Sequence, residues 1–253
     1  MEEGHVNCNI DTKGLATIEF GHPSSNALPG KILGKLAKAI TEISDDPSCK
    51  LILLKSAGNR AFCAGASFDE LIAIENIADG KIFFSGFAKV INACRTSSKL
   101  IIGRIHGKAV GGGVGIASAM DYAFATEAAS IKLSELAVGI GPFVVGPAVQ
   151  RKIGLSAMSQ LAINATAWRS ARWAEAKGLY ANVYEDIQQM DKGITELVEK
   201  LCASNPAAME QLKSVFWEGT DHWDSLLSER AEISGGLVLS DFTRNAIQSF
   251  KKT

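Results

Sequence analysis

The chain has 253 residues, 47% of them hydrophobic and 21% charged, and its formal net charge is −1. That is enough apolar material for a sizeable core in one large domain or a domain with a subdomain. The near-neutral balance gives no electrostatic reason to expect nucleic acid or an anionic membrane as a partner. Cys8, Cys49, Cys63, Cys94 and Cys202 are scattered and odd in number, with no CxxC pairing. Neither a disulfide frame nor a zinc site is expected, and no other metal site is evident. The start, "MEEGHVNCNI", is acidic and lacks an apolar signal core, and no run approaches a membrane span. The expectation is a cytoplasmic protein.

In chain order, "HVNCNI" and "LATIEF" read as two short strands split by the turn "DTKG". A helix is predicted over "SSNALPGKILGKLAKAITEISDD", with Leu33, Leu36, Ile40 and Ile43 at helical spacing and Pro47 as its stop. "CKLILLKS" is a buried strand. "GNRAFCAGASFDELIAI" is a loop entering a helix, where Ser67 and Glu70 form a capping-box pattern. "KIFFSGFAKVINACR" is a second amphipathic helix, "KLIIGRI" another buried strand, and a helix is predicted over 112–120. "DYAFATEAASIKLSEL" supplies two more short strands, and from about 146 onward the chain reads almost entirely helical. No internal repeat is visible. Strands alternating with helices, followed by helices alone, predict an α/β core with a helical C-terminal part.

Gly107, Gly111, Gly112, Gly113 and Gly115 crowd the junction between a strand and a helix. Glycine loses the most conformational entropy on folding, so the cluster needs a cause. Phosphate binding fits poorly. A GxGxxG register from Gly111 puts Ile116 in the third glycine's place, and no Lys-Ser/Thr follows Gly113 as a P-loop requires. Two readings stay open: close strand-to-helix packing, or exposed amides at a helix start that bind a developing oxyanion. An oxyanion generally wants two convergent donors, and "AFCAGAS" is a small-residue loop suited to bring the second.

The two loops together, "AFCAGASFDE" from residue 61 and "IHGKAVGGGVGIASAMD" from residue 105, resemble the enoyl-CoA hydratase/isomerase, or crotonase, superfamily. "SSNAL", "LSELAVGIGPFVVGPAVQRKIG" and "AEAKGLYANVYED" match in the same order, so the resemblance covers roughly 15–186. It implies a crotonase-like ββα spiral core over 1–190 and a C-terminal helical region, 191–253, that supports a homotrimer or a dimer of trimers. It also implies an acyl-CoA thioester substrate, in which coenzyme A is part of the substrate and no separate cofactor is needed. By motif position, the thioester carbonyl would be held by the backbone amides of Ala66 and Gly112. Cys63 and Ala64, in the 62–66 loop that contacts adenine, would bind substrate together with Gly111, Gly115, Phe68, Leu71 and Phe143. The last three are apolar and favour an uncharged acyl group. Lys31 and Arg60 would lie near the CoA phosphates, and Lys251 and Lys252 could help cover the adenine.

Many hydratases of this family carry a glutamate after the glycine triplet, and here that position is Gly115. The family's second glutamate falls at Glu135, which taken alone would read as a surface residue. In an apolar pocket its pKa would rise, as acid–base work near neutrality requires. The resemblance extends to two single-glutamate types. One is the Δ3,Δ2-enoyl-CoA isomerases, through Gly139-Ile140-Gly141-Pro142-Phe143. The other is the bacterial methylglutaconyl-CoA and geranoyl-CoA hydratases, through "VVGPAVQRKIG". It therefore implies a 2-enoyl-CoA hydratase using Glu135. The alternatives are an isomerase using the same residue as sole proton shuttle, and a catalytically weak acyl-CoA binder.

Other residues have plainer expectations. Ser67 is a helix cap, and Asp69 and Glu70 are a solvated helix face. His106 is structural, while His5, His22 and His222 have no evident partners. Cys63 is a small buried hydrophobe. Trp168 and Trp173 pack between C-terminal helices, with acyl-pocket lining as the other possibility.

Overall fold

A computed structural model describes residues 4–250; Lys251 and Lys252 lie outside the described residues. Strands β1 (His5–Ile10) and β2 (Leu15–Gly21) form the antiparallel start. The Asp11 carboxylate accepts from the amides of Lys13 and Leu15 in the turn between them. The next helix is shorter than its pattern suggests. "SSNAL" instead turns sharply, with Ser25 and Asn26 at φ 55° and 58°, and passes through β3 (Ala27–Leu28). Helix α1 (Gly30–Asp45) starts only after Pro29, whose fixed φ suits the entry to a helix. The buried Asn26 fixes this bend. Its Oδ1 accepts from the His22 amide, and its Nδ2 donates to the carbonyls of Ala57 and Ala61.

Strands β4 (Leu51–Ser56), β5 (Ala61–Cys63) and β6 (Gly65–Ala66) follow, then α2 (Phe68–Ile72) and α3 (Ile77–Thr96). The next turn runs through β7 (Ile101–Ile105), β8 (Lys108–Val110) and α4 (Gly112–Ala119). After it come β9 (Tyr122–Thr126), β10 (Ile131–Lys132), a 3-10 turn (Glu135–Val138) and α5 (Gly146–Ile163). The fold is thus a spiral. Successive turns give one strand to a six-stranded sheet, ordered β1-β2-β4-β7-β9-β11, and another to a small sheet, β10-β8-β5 or β3-β6.

The last third is almost entirely helical, as expected, and its one strand among the described residues is β11 (Asn182–Tyr184). This strand pairs in parallel with β9 and closes the edge of the large sheet. Three residues are too few to show a period, so the strand has no signal of its own. The helices are α6 (Ala171–Ala176), α7 (Ile187–Cys202), α8 (Pro206–Phe216), α9 (Trp223–Leu237) and α10 (Asp241–Phe250). The expected division at 190/191 falls within α7.

Both faces of the large sheet are covered, which is why its central strands are continuous apolar runs. In β4, Ile52 and Leu54 enter the main core, while Leu51 and Leu53 pack toward Ile194 and Val198 of α7. Each fully buried Leu or Ile contributes about 1.5–3 kcal/mol. Two contacts dock the C-terminal helices on the same chain's core. Lys213 of α8 donates to both oxygens of Asp121, at 3.0 and 2.7 Å, beside a bond from Trp217 Nε1 at 3.1 Å. Helix α9 lies on α3 backbone to backbone, and a Cβ built on Gly80 would sit 2.6 Å from the Cα of Gly235.

Candidate active site

Parallel pairing of β8 with β10 (Ala109 opposite Ile131, Val110 opposite Lys132) makes the two chains leave the small sheet side by side. One enters the glycine loop and the other enters Ser134-Glu135. The Gly111 amide donates to the Lys132 carbonyl at 2.9 Å, which locks the two exits together. Each glycine of the triplet then has its own cause. Gly111 has φ 51°, and a Cβ there would lie 2.9 Å from Glu135 Oε1. A Cβ on Gly112 would strike the ring of Phe87, and one on Gly113 would strike the Cys63 carbonyl. Gly112 is also the first residue of α4, so its N–H has no carbonyl one turn earlier in the helix.

These elements enclose a cavity of about 180 Å³. Of the residues singled out from the sequence, Ala64, Ala66, Phe68, Leu71, Gly111, Gly112, Glu135 and Phe143 line it together. Cys63 and Gly115 do not. Cys63 is fully buried behind the wall under Gly113, and burial pushes its thiol up to about 12. That position keeps the Cys63 thiol out of the cavity and makes it a poor nucleophile. Gly115 lies behind Val145, which is the lining residue at that point.

Among the described residues, Glu135 is the only ionisable one in the lining. Its Oε2 is sealed from solvent and has no hydrogen-bond partner among the described residues. Burial in this apolar chamber raises the carboxyl from the usual range to about 7. The surface reading that Glu135 would have alone does not hold, because the 3-10 turn that begins at Glu135 sets its side chain in the cavity lining.

Several lining residues carried no functional signal in the sequence. Phe83, Phe84 and Phe87 of α3 face the cavity, yet an apolar helical stripe looks the same whether it meets a core or a chamber. Ser234 reaches the lining from α9, far away in sequence.

Other expectations are met or corrected nearby. Ser67 caps α2, accepting from the Glu70 amide at 3.4 Å, and Asp69 is exposed. Glu70 is not merely solvated: its Oε2 accepts from the Gly30 amide at 2.8 Å and caps α1. His5 lies 3.7 Å from Glu19, and His22 Nδ1 accepts from the Ser24 amide. His222 precedes α9, its carbonyl bonded by Leu226 N–H. His106 is buried, and burial, aided by Arg104, lowers its pKa, as a neutral structural imidazole requires. Trp168 is exposed, with the ammonium groups of Lys108 and Lys132 at 4.9 and 4.6 Å from its ring centroid, and Trp173 lies under Arg169. Neither tryptophan lines the cavity, and Trp168 is not packed between helices. Arg60 borders a separate hollow with His22 and Asn26, and Lys31 lies in the exposed first turn of α1.

A spiral of two strands and a helix per turn, with a carboxylate set in an apolar chamber, is an α/β architecture with a candidate active site. The chain belongs to the enoyl-CoA hydratase/isomerase family, whose model matches residues 11–243. It is 30% identical over 216 residues to the mitochondrial methylglutaconyl-CoA hydratase of Mus musculus, covering 83% of this chain and 68% of that one. It is 26% identical over 239 residues to the short-chain-enoyl-CoA hydratase of Clostridium acetobutylicum, covering 93% and 90%. The crystal structure of an enoyl-CoA hydratase from Bacillus halodurans superposes with a TM-score of 0.88 at 19% identity, covering 96% and 99%. That likeness establishes the crotonase fold. No helix among the described residues is long and apolar enough to cross a membrane.

Proposed function

We propose that the protein adds water to a 2-enoyl-CoA thioester with Glu135 as its single acid–base group. The observation that carries this reading is the Glu135 carboxyl, its Oε2 buried without a partner and its Oε1 against Gly111 at the start of α4, where burial pushes its pKa up to about 7. The thioester oxygen accepts from the amides of Ala66 and Gly112, and each such donor is worth about 3–4 kcal/mol to an enolate. The Glu135 carboxylate takes a proton from water as the water oxygen bonds to C3. The double-bond electrons move through C2 onto the thioester oxygen. Protonated Glu135 then returns that proton to C2, giving the 3-hydroxyacyl-CoA and regenerating the carboxylate. One water is consumed, coenzyme A stays on the acyl group, and no other cofactor enters the cycle.

The hydratases named among the relatives support hydration. The acyl group is uncharged, because no cation among the described residues lines the cavity and a carboxylated chain would bury an unpaired charge. Assembly as a homotrimer or a pair of trimers belongs to the same proposal. It is supported by the exposed Leu212, Val215 and Phe216 of α8, and light scattering tests it.

One observation favours a second reading. Val145 fills the space beside Gly115, so the chamber has one carboxylate and few polar partners for a water. A Δ3,Δ2-enoyl-CoA isomerase needs only this: Glu135 would take a proton from C2 and return it to C4. Wild type and Glu135→Gln, each given a 2-enoyl-CoA and a 3-enoyl-CoA in D2O and followed by NMR, separate the two. A 3-hydroxyacyl product that vanishes in the variant supports the hydratase. Double-bond migration without hydration supports the isomerase, and binding without turnover supports a weak acyl-CoA binder.

A further inference from the structure

We infer that helix α10 is a positioning element for Glu135, seated through Thr243 on the turn that carries the carboxylate; this rests on the acid–base role proposed above. The turn from Glu135 closes on itself, since the Ile140 amide donates to the Glu135 carbonyl at 3.0 Å and the Gly139 amide donates to the Leu136 carbonyl at 3.1 Å. Any displacement of Gly139 or Ile140 is therefore passed to the Glu135 backbone. Both residues are held from behind by the C-terminal helices. Gly139 has φ 81°, and a Cβ there would lie 2.5 Å from Thr243 Oγ1 and 2.5 Å from Phe242 Cδ1. Helix α10 rests directly on the glycine's Cα.

Thr243 has 0% exposure, and its Oγ1 accepts from Ser240 Oγ at 3.1 Å while its amide donates to the same hydroxyl oxygen. Ile140, 2% exposed, joins Val238, Ile247 and Ile74 in an apolar cluster separate from the main core. That cluster forms the outer wall of the chamber, and Phe68, Leu71, Phe83 and Phe84 pack against it from the cavity side. In this inference the wall keeps water away from the buried Oε2 of Glu135. The charged residues of the packed helices, Asp241 and Arg244 of α10 and Asp224, Glu229, Arg230 and Glu232 of α9, are not in the lining. A change in the Glu135 titration therefore reports hydration and position.

The experiment compares the wild type with Thr243→Ala, Thr243→Ser and a chain truncated after Ser240. Carboxyl-13C glutamate NMR titrates Glu135, assigned by the resonance lost in Glu135→Gln, and kcat and KM are measured on the acyl-CoA turned over. Thr243→Ala and the truncation are expected to lower the Glu135 pKa by about one pH unit as water enters. They should also lower kcat about tenfold, with KM nearly unchanged, and Thr243→Ser should restore both. An unmoved pKa and kcat in Thr243→Ala overturns the inference, and this small substitution decides if the truncated chain does not fold. Full turnover by Glu135→Gln would instead overturn the acid–base reading, while the NMR titration still reports the seating of the turn.

Discussion

A Cβ built on Gly115 would lie 2.5 Å from Cγ1 of Val145 and 2.8 Å from its Cβ. The helix α4 residue is thus in direct contact with the start of α5, and no space remains there for a longer side chain. Gly115→Ala is expected to destabilise the fold by about 1–3 kcal/mol through overpacking. Adding Val145→Ala should recover part of that loss, because it removes Cγ1, the nearer of the two clashing atoms, and leaves the Cβ. Urea unfolding of the four chains of this double-mutant cycle measures the coupling.

Glu135 links activity to stability with opposite signs. Its carboxyl has a value near 4.5 when unfolded and about 7 when folded, because burial disfavours the charge. Between those values the folded chain holds a proton that the unfolded chain has released, so stability falls as pH rises through the window. Above pH 7 the cost is complete, at about 3 kcal/mol. Glu135→Gln should therefore gain stability at pH 8 and gain little at pH 4, read from denaturant melts at both values. On the proposed mechanism, in which the carboxylate is the base, wild-type kcat/KM should rise with pH and level off above about 7, a dependence absent from the variant.

Gly111 tests whether the glycine loop exists for the carboxylate. A methyl group there would meet Glu135 Oε1 at 2.9 Å, and φ 51° is strained for any L side chain. Gly111→Ala is expected to lower kcat by about a hundredfold, the effect of a misplacement near 1 Å. Steady-state kinetics with a folded, acyl-CoA-binding variant checks it.

The Asp121–Lys213 pair ties α8 to the core with both side chains nearly inaccessible, at 4% and 2% exposure. Asp121→Asn leaves the ammonium buried without its carboxylate and should cost about 3–5 kcal/mol. Asp121→Asn combined with Lys213→Met should recover most of it, since the uncompensated charge is then gone. Thermal and urea unfolding of the single and double variants provide the comparison.

Much of the chain was legible because its signals are local. Ser67 caps α2 as its spacing with Glu70 suggests, and β1, β2, β4 and β7 follow from short apolar runs bounded by turns. The small sheets were not legible. β5, β6 and β8 have two or three residues each and are strands only because their neighbours complete the ladder. For the same reason the spiral leaves no internal repeat in the sequence and is legible there only through the family resemblance, as its successive turns bury different side chains and share no sequence period.

By its motifs alone, the sequence established the family resemblance, singled out Glu135 and the glycine loop, and showed that position 115 carries no carboxylate. Tertiary structure alone answered why. Gly111 makes room for Glu135, Gly112 for Phe87, Gly113 for Cys63 and Gly115 for Val145. Each of these reasons is a contact between residues distant in the chain, and no local pattern records it. The same holds for the raised pKa of Glu135, for Glu70 capping a helix forty positions away, and for the α10 contact behind the catalytic turn. Burial and close approach belong to the packed whole.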